Sequence, residues 1–490
     1  MIGDAAVAAY EVTAPKSAVK AAPASAPSPR QANALRRLAT ILVPSRFNVS
    51  TDLPDGRKAV YNTFSTAITV LKPKLWQRYF APGSRHRLSP AESSSTLGKL
   101  HARGFFVAEG IDEKELVRQY YQRDRHDATC SLSVNILPTM ACNLECPYCF
   151  QGMTQVTTKP NLMPREIEDA IVAYLKAKVA GREGLAMSWF GGEPLIGLKT
   201  IERLSPRLIE ICDQAGLDYR AVITTNGVLM DRAAVDALAA GRVTLAQVSI
   251  DVPSETRNDK KGRDTQDIVL DNIAYAVEKM SVQLRINMTR DDEQEWARLF
   301  DGIVKRGLQS RIQAYIANVF QSEHARRDGV GSQVSHLDYV EVLKRQRQRA
   351  KEIGMRMEGA VANSCGSGCA ATSSSAVTID PDGLLYKCPD DAGRPDRAFG
   401  SVVLETVMRP DNLLPWLSYD WFRYEECWDC SLLPQCAGGC PHRRRFQPEL
   451  ANDDHCYWFL RGDLEARVRA TVSGVLSERG AEPLEHACAS

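Results

Sequence analysis

The chain has 490 residues, 44% of them hydrophobic and 25% charged, with 61 Lys and Arg against 60 Asp and Glu. This is the composition of an ordinary globular protein with room for two or three domains. A net charge of +1 leaves no electrostatic footprint for nucleic acid or an anionic membrane, and no apolar run of about 18 residues is present to span a bilayer. The N-terminus, Met1-Ile2-Gly3-Asp4, lacks the basic and apolar regions of a secretory signal, so a cytoplasmic location is expected. There, 14 cysteines point to metal rather than disulfides.

Residues 1–39 contain Ala, Pro, Ser and Lys in runs such as Ala22-Pro23-Ala24-Ser25-Ala26-Pro27, and a disordered arm is expected. Residues 40–128 read as a small α+β module. Phe47-Asn48-Val49, the turn at Asp55-Gly56 and Ala59-Val60-Tyr61 suggest two strands, and Ala67–Leu71 a third. Leu97 to Leu100 has helical spacing, Phe105-Phe106-Val107 reads as a wing strand, and Glu113 to Tyr121 as a closing helix. The module resembles the winged-helix domain that recognises leader peptides in maturases of ribosomally made, modified peptides. A generic capping domain is the alternative. The resemblance implies a precursor peptide whose leader adds as a strand to an exposed sheet edge.

Residues 129–320 alternate between strand and helix. Leu132–Leu137, Leu185–Phe190, Tyr219–Thr224, Val243–Ile250, Val282–Met288 and Arg311–Val319 read as strands. Pro164–Val179, Thr200–Ala215, Asp231–Ala240, Thr265–Lys279 and Asp291–Arg306 read as helices. Units of this kind in series predict an α/β fold with a parallel sheet and right-handed crossovers. Chemistry is then expected at the C-terminal strand ends. The first strand leads into Cys142, Cys146 and Cys149, and the second into Gly191-Gly192-Glu193-Pro194. The third leads into Thr224-Thr225-Asn226-Gly227, the fourth ends Ser249-Ile250-Asp251, and the fifth carries Arg285-Ile286-Asn287. Turn chemistry accounts for the Gly and Asn residues. It does not account for a carboxylate, an amide and a hydroxyl on one rim.

The spacing of Cys142, Cys146 and Cys149 is C-x₃-C-x₂-C. A [4Fe–4S] cube normally takes one thiolate per iron, so three cysteines leave one iron open to a ligand. Zinc would want a fourth Cys or His nearby, and the next to follow are the distant Cys212 and His324. The stretch, with Tyr148 before its last cysteine, resembles the radical S-adenosylmethionine (SAM) enzymes. The resemblance implies a partial (β/α)₆ barrel in which SAM chelates the open iron. One electron then splits a C–S bond of SAM and releases the 5′-deoxyadenosyl radical. It also implies the SAM-contacting residues. Tyr148 lies in the motif, and Gly191 and Gly192 permit close backbone approach to a ligand. Glu193 is the acceptor for the SAM ammonium, Ser249 bonds the carboxylate or ribose, and Asn226 and Arg285 are rim candidates. Arg257, Lys260, Lys261 and Arg263 compete for one further basic contact, with Lys261 taken as the candidate. Relatives read Ser-x-Asp-Gly-Pro where this chain has Val252, so the local backbone is expected to differ.

Residues 321–360 are polar and read as a solvated linker helix. Residues 361–460 hold eight cysteines, two full sets of four. From Cys427 the spacing is C-x₂-C-x₅-C-x₃-C-x₁₅-C, ending at Cys456, with Cys365, Cys369 and Gly383-x₄-Cys388 upstream. This resembles the SPASM domain with its two auxiliary [4Fe–4S] clusters. The resemblance implies Cys365, Cys369, Cys388 and Cys440 for the first and Cys427, Cys430, Cys436 and Cys456 for the second. Two zinc sites are the alternative, and Cys365 is also open to being spare. Cys130, Cys212 and Cys488 read as structural or incidental. His442 to Arg445 reads as a solvated or cluster-balancing face, and Trp421, Phe422, Tyr424 and Trp428 as packing around clusters. An amphipathic helix and polar tail occupy 461–490.

Taken together, these resemblances imply a radical SAM/SPASM enzyme that takes hydrogen from a ribosomal precursor peptide and installs a C–C, thioether or ether crosslink. Its cofactors are three [4Fe–4S] clusters and SAM, with an external donor such as flavodoxin or ferredoxin. One alternative is an anaerobic sulfatase-maturing enzyme forming formylglycine. That group has an aspartate directly after the cysteine of Gly-x₄-Cys, where this chain reads Cys388-Pro389-Asp390. Another is a non-catalytic electron-transfer or peptide-carrier protein. No catalytic acid or base is named by the sequence.

Overall fold

The structure, a computed structural model, describes residues 39–151, 161–257, 264–319, 336–357, 368–404, 406–448, 464–469 and 471–472. Nearly all of the expected N-terminal arm, and Lys260, Lys261, Arg263, Cys365, Cys456 and Cys488, lie outside these residues.

In chain order the N-terminal elements are β1 (Thr40–Pro44), β2 (Asn48–Asp52), β3 (Lys58–Asn62), β4 (Ile68–Leu71), α1 (Pro73–Phe80), β5 (His86–Leu88), α2 (Thr96–Ala102), β6 (Phe106–Ala108) and α3 (Glu113–His126). They make two antiparallel sheets, β5-β1-β6 and β2-β3-β4, around Leu42, Val60, Leu71, Tyr79, Phe80, Leu97, Leu100, Phe105 and Phe106. Asp112 caps α3, accepting from the backbone N–H groups of Lys114 and Glu115. Three elements escape the sequence reading. β1 and β5 are too short to show a period, and α1 starts at Pro73 directly behind β4, where a proline reads as a break.

The central sheet runs β7 (Leu132–Ile136), β8 (Gly184–Trp189), β9 (Asp218–Thr225), β10 (Val243–Val252), β11 (Ser281–Met288) and β12 (Ile312–Asn318), neighbours in chain order and all parallel. The crossover helices are α4 (Arg165–Lys178), α5 (Leu198–Ala215), α6 (Arg232–Ala240), α7 (Gln266–Ala276) and α8 (Glu293–Lys305). They cover one face of the sheet. Val248, Ile250, Val252, Leu284, Ile286 and Met288 sit there with Leu270, Ile273, Trp296 and Phe300 in one core cluster. Side chains alternate along a strand, so Gln247, Ser249 and Asp251 of β10 and Gln283, Arg285 and Asn287 of β11 take the other face. Each stands opposite its partner in register. A parallel sheet buried on both faces reads as continuous apolar sequence. This one carries polar side chains on its second face, at Gln247, Ser249, Asp251, Gln283, Arg285 and Asn287. Cys212 is buried in the helix-side core, consistent with a structural role.

The segment read as a solvated linker is corrected by α9 (His336–Glu352). Its Tyr339, Val342, Leu343 and Ala350 join the core, and the short β13 (Arg356–Met357) that follows pairs parallel to β12. The apolar stripe is narrow among many charges, which hid it. Beyond it, β14 (Ala376–Ile379) pairs parallel to β7, and β15 (Leu384–Tyr386), β16 (Gly400–Ser401) and β17 (Thr406–Val407) continue antiparallel. The C-terminal cysteine region is thus an extension of the central sheet from its β7 edge. α10 (Pro410–Leu417), α11 (Leu433–Cys436) and α12 (Pro441–Phe446) complete it.

Candidate active site

The loop after β7 carries Cys142, Cys146 and Cys149, all half-buried. Its underside is fixed by packing. Leu137 and Met140 sit with Phe190, Tyr386, Ala392 and Ala398, and Phe150 stacks on Phe190 at 6.0 Å. The Gly191-Gly192-Glu193 loop after β8 lies directly against it, with Gly192 N–H donating to Thr139 O at 3.2 Å and Glu193 N–H to Ala141 O at 2.8 Å. Gly191 has φ +140°, and a Cβ there would stand 2.5 Å from Thr139 O; one on Gly192 would run into the Met140 and Ala141 carbonyls. The close approach these glycines permit is to the cysteine loop itself.

Glu193 is fully buried. Its Oε1 accepts from Leu195 N–H at 3.0 Å and Thr225 Oγ1 at 2.7 Å, and its Oε2 from Asn226 N–H at 2.7 Å. Asn226 in turn donates to Asn143 Oδ1 at 2.8 Å, with its Nδ2 3.8 Å from Cys142 Sγ. The carboxylate thus ties the ends of β8 and β9 to the cysteine loop.

The other end of that loop is held from across the barrel. The Tyr148 hydroxyl donates to Asp251 Oδ2, a carboxylate 1% exposed. Asn287 Nδ2 lies 3.2 Å from Asp251 Oδ1 and 3.3 Å from the Tyr148 oxygen, and Arg285 Nε donates to Asn287 Oδ1 at 2.9 Å. Tyr148, Asn226, Ser249 and Arg285 therefore share one rim with the cysteines. Asp251 and Asn287 were quoted as strand ends but not picked as site residues. Their place at matching positions on successive strands was the available signal. The Val252–Pro253 peptide is cis. Further back along the same sheet Tyr315 donates to Gln247 Oε1 at 3.2 Å.

These residues fit an iron–sulfur cluster. The loop offers three thiols, and the Leu144 N–H lies 3.4 Å from Cys142 Sγ, a hydrogen bond that suits a thiolate ligand.

A second group stands beside β14 and β15. Cys388 is buried and Cys369 and Cys440 half-buried. Each immediately precedes a short helical turn, at Ala370–Thr372, Pro389–Asp391 and α12. Surrounding protein pushes the Cys369 thiol up to about 11, with Cys440 adding to the effect. It pushes Cys388 well up, helped by Asp390, Asp391, Cys369 and Cys440. Thiols this dry ionise readily only against a cation, which fits a metal centre. Lys387 is buried beside them and donates to Ser373 O at 2.5 Å and to Ala376 O; burial lowers its pKa to about 8.

Cys427, Cys430 and Cys436 share a third loop, packed with Trp421, Leu433 and Ala437 on one side and Leu432 on the other. Ala437, Gly438 and Gly439 all have positive φ, turning the chain sharply into Cys440. Trp421 and Tyr424 pack as expected, whereas Trp428 is 38% exposed. His442 and Arg444 are turned inward. Arg444 donates to Glu426 Oε1 at 2.7 Å and to Gly438 O at 3.2 Å, so these two are no solvated face.

Residues 136–301 match the model of the radical SAM superfamily. Over 403 residues the chain is 22% identical to the radical SAM cyclopropyl synthase TigE of Paramaledivibacter caminithermalis, covering 71% of this chain and 77% of that one. It is 24% identical over 326 residues to the serine-type anaerobic sulfatase-maturating enzyme of Klebsiella aerogenes, covering 61% and 77%. A solved structure of native anSMEcpe with bound AdoMet and Cp18Cys peptide superposes with a TM-score of 0.53 at 19% identity, over 70% of this chain and 99% of that one. The fold is shared with that protein, and the family's equipment is a [4Fe–4S] cluster and SAM. Among the described residues no helix is long and apolar enough to cross a membrane. Residues 136–301 are thus a radical SAM domain and the chain is an enzyme, which sets aside the non-catalytic alternative.

Proposed function

We propose that the chain modifies a ribosomally made precursor peptide, taking one hydrogen from a core residue and closing a C–C, thioether or ether crosslink. Cys142, Cys146 and Cys149 would hold a SAM-binding cluster, which would supply the electron for reductive cleavage of SAM. The 191–193 backbone, Asn226, Ser249 and Arg285 orient SAM on the rim, with Lys261 as the further basic contact. Glu193 does so indirectly, by holding the two loops together. The C-terminal region acts as a SPASM domain with two auxiliary clusters, one of which takes the surplus electron. The external donor is flavodoxin or ferredoxin, and the setting is cytoplasmic.

One observation carries the peptide reading above all. Residues 39–126 form an ordered module seated on the second C-terminal cysteine loop, with sheet edges at β4 and β5. A winged-helix recognition module joined to the electron acceptor suits a leader-bearing substrate. The peptide bound to anSMEcpe supports a peptide substrate more generally.

The second reading, formylglycine formation, draws on the relationship to the Klebsiella enzyme. Against it, Asp390 has its carboxylate beside Cys388 and His442, among the auxiliary donors.

The test is anaerobic reconstitution, then SAM, dithionite and a short peptide encoded beside this chain. Deoxyadenosine with a peptide that has lost two hydrogens and does not react with a hydrazide supports the crosslink. A hydrazide-reactive aldehyde on a Cys or Ser establishes the sulfatase-maturing reading instead. Deoxyadenosine with the peptide unchanged overturns the proposed substrate.

A further inference from the structure

Three cysteines of the first auxiliary group, Cys369, Cys388 and Cys440, fall within the described residues, and a further donor stands beside Cys388. Ligand atoms of Cys388, Asp390 and His442 lie within 4.8 Å of one another. His442 is 6% exposed, two residues beyond Cys440 at the start of α12. Its ring is fixed by Phe446 at 4.8 Å and Trp416 at 6.2 Å between centroids.

The orientation of that ring matters most. Nε2 lies 3.2 Å from Asp391 Oδ1, a buried carboxylate oxygen that also takes Arg397 Nη1 at 2.9 Å. A carboxylate held by a guanidinium can only accept, so Nε2 carries the hydrogen and Nδ1 the lone pair. A histidine whose second nitrogen is braced by a carboxylate is the usual form of a metal-binding histidine. A surface-balancing histidine needs no such brace and no such burial. Asp390 is the weaker candidate, because iron–sulfur centres take sulfur and imidazole nitrogen more readily than a carboxylate.

We propose that His442 is an iron ligand of the first auxiliary cluster, completing the set Cys369, Cys388 and Cys440 in place of Cys365. The proposal rests on the iron–sulfur reading of this region. Its consequence is electronic. Exchanging an anionic thiolate for a neutral imidazole raises a cluster's reduction potential, which suits an electron acceptor.

The test uses the full chain with Cys142, Cys146 and Cys149 changed to Ala, reconstituted with iron and sulfide, so that only the C-terminal centres report. Pulsed EPR of the dithionite-reduced protein should show a directly bound nitrogen. H442C should keep the iron, lose the nitrogen coupling and shift one potential downward. Cys365→Ala should keep both iron and coupling, and Asp390→Asn should keep the coupling. A cluster signal without nitrogen coupling overturns the proposal and leaves the iron–sulfur reading standing. So does loss of one cluster's iron in Cys365→Ala. One zinc per chain and no cluster signal overturns both. Should His442→Ala fail to fold, H442C still decides.

Discussion

Glu193→Gln separates a brace from a ligand. The buried carboxylate accepts three hydrogen bonds, two at Oε1 and one at Oε2. Glutamine can accept at one of those positions only; its amide group must face an N–H or the Thr225 hydroxyl. Placing the amide toward Asn226 N–H loses one charge-assisted bond, worth about 1.5–3 kcal/mol. It also leaves two buried donors facing each other, at roughly 1–3 kcal/mol. The expected loss is therefore roughly 2.5–6 kcal/mol, felt before any SAM is present. The assay is thermal unfolding of cluster-loaded parent and variant, with and without SAM. A melting temperature several degrees lower in the SAM-free variant, with faster iron loss to a chelator, is the expected result. A variant that melts with the parent without SAM, and loses only the SAM-induced rise, would refute the brace. Glu193 would then be a ligand first.

The pair formed by Tyr148 and Asp251 should behave as one unit. Tyr148→Phe and Asp251→Asn should each speed iron loss from the 142–149 triad, at about 1–3 kcal/mol each, and the double variant should add little. Strictly additive effects would show that the contact is incidental. Asp380 gives a pH dependence. Burial raises its carboxyl from 3.8 to about 6, even though the N–H groups of Leu384 and Asp382 and the Tyr386 hydroxyl donate to it. The folded state thus holds a proton that the unfolded chain has released. Its stability contribution is complete below pH 3.8 and falls as pH rises through 6, by about 3 kcal/mol in all. Asp380→Asn should therefore melt above the parent near pH 7.5, with the gap narrowing toward pH 5.5. A gap independent of pH would mean that Asp380 titrates normally.

What the sequence disclosed was local. The triad spacing, Gly191-Gly192-Glu193-Pro194 and Asn226 sit where a strand's period gives way to a polar loop, and Ser249 and Arg285 are polar positions inside β10 and β11. The rule that parallel sheets work at their C-terminal ends gathers them on one rim. All six central strands and their crossover helices were read the same way. What stayed hidden depends on partners far along the chain. Tyr148 meets Asp251 across 103 positions, and no local pattern announces that. The chain returns from residue 376 to pair β14 with β7, so the cysteine region continues the sheet rather than forming a bead beyond it. His442 and Arg444 look like a basic surface run because composition cannot report a buried Asp391 or Glu426 opposite them.

The most consequential hidden contact concerns the N-terminal module, and it changes what truncation can test. Phe47, Val117 and Tyr121 pack with Cys427, Leu433 and Trp421, while Leu53, Ala59 and Tyr61 pack with Leu432, Leu464, Val468 and Val472. Polar ties follow the same seam. Arg46 donates to Trp428 O at 2.8 Å and pairs with Asp429, Arg118 pairs with Asp420 at 2.9 Å, and Arg125 donates to Leu417 O at 2.8 Å. Uncovering five large side chains and their partners forfeits on the order of 5–10 kcal/mol of apolar burial. It also opens one wall around Cys427 and Cys430. Deletion of residues 1–128 is therefore expected to strip iron from the second auxiliary group and promote aggregation, in addition to any loss of peptide binding. A truncated chain that stays monodisperse with its full iron complement would refute this seam. If the seam holds, leader recognition has to be tested with substitutions on the outer edge of β5, whose residues take no part in the two seam clusters, so that peptide affinity can change while the cluster wall stays in place.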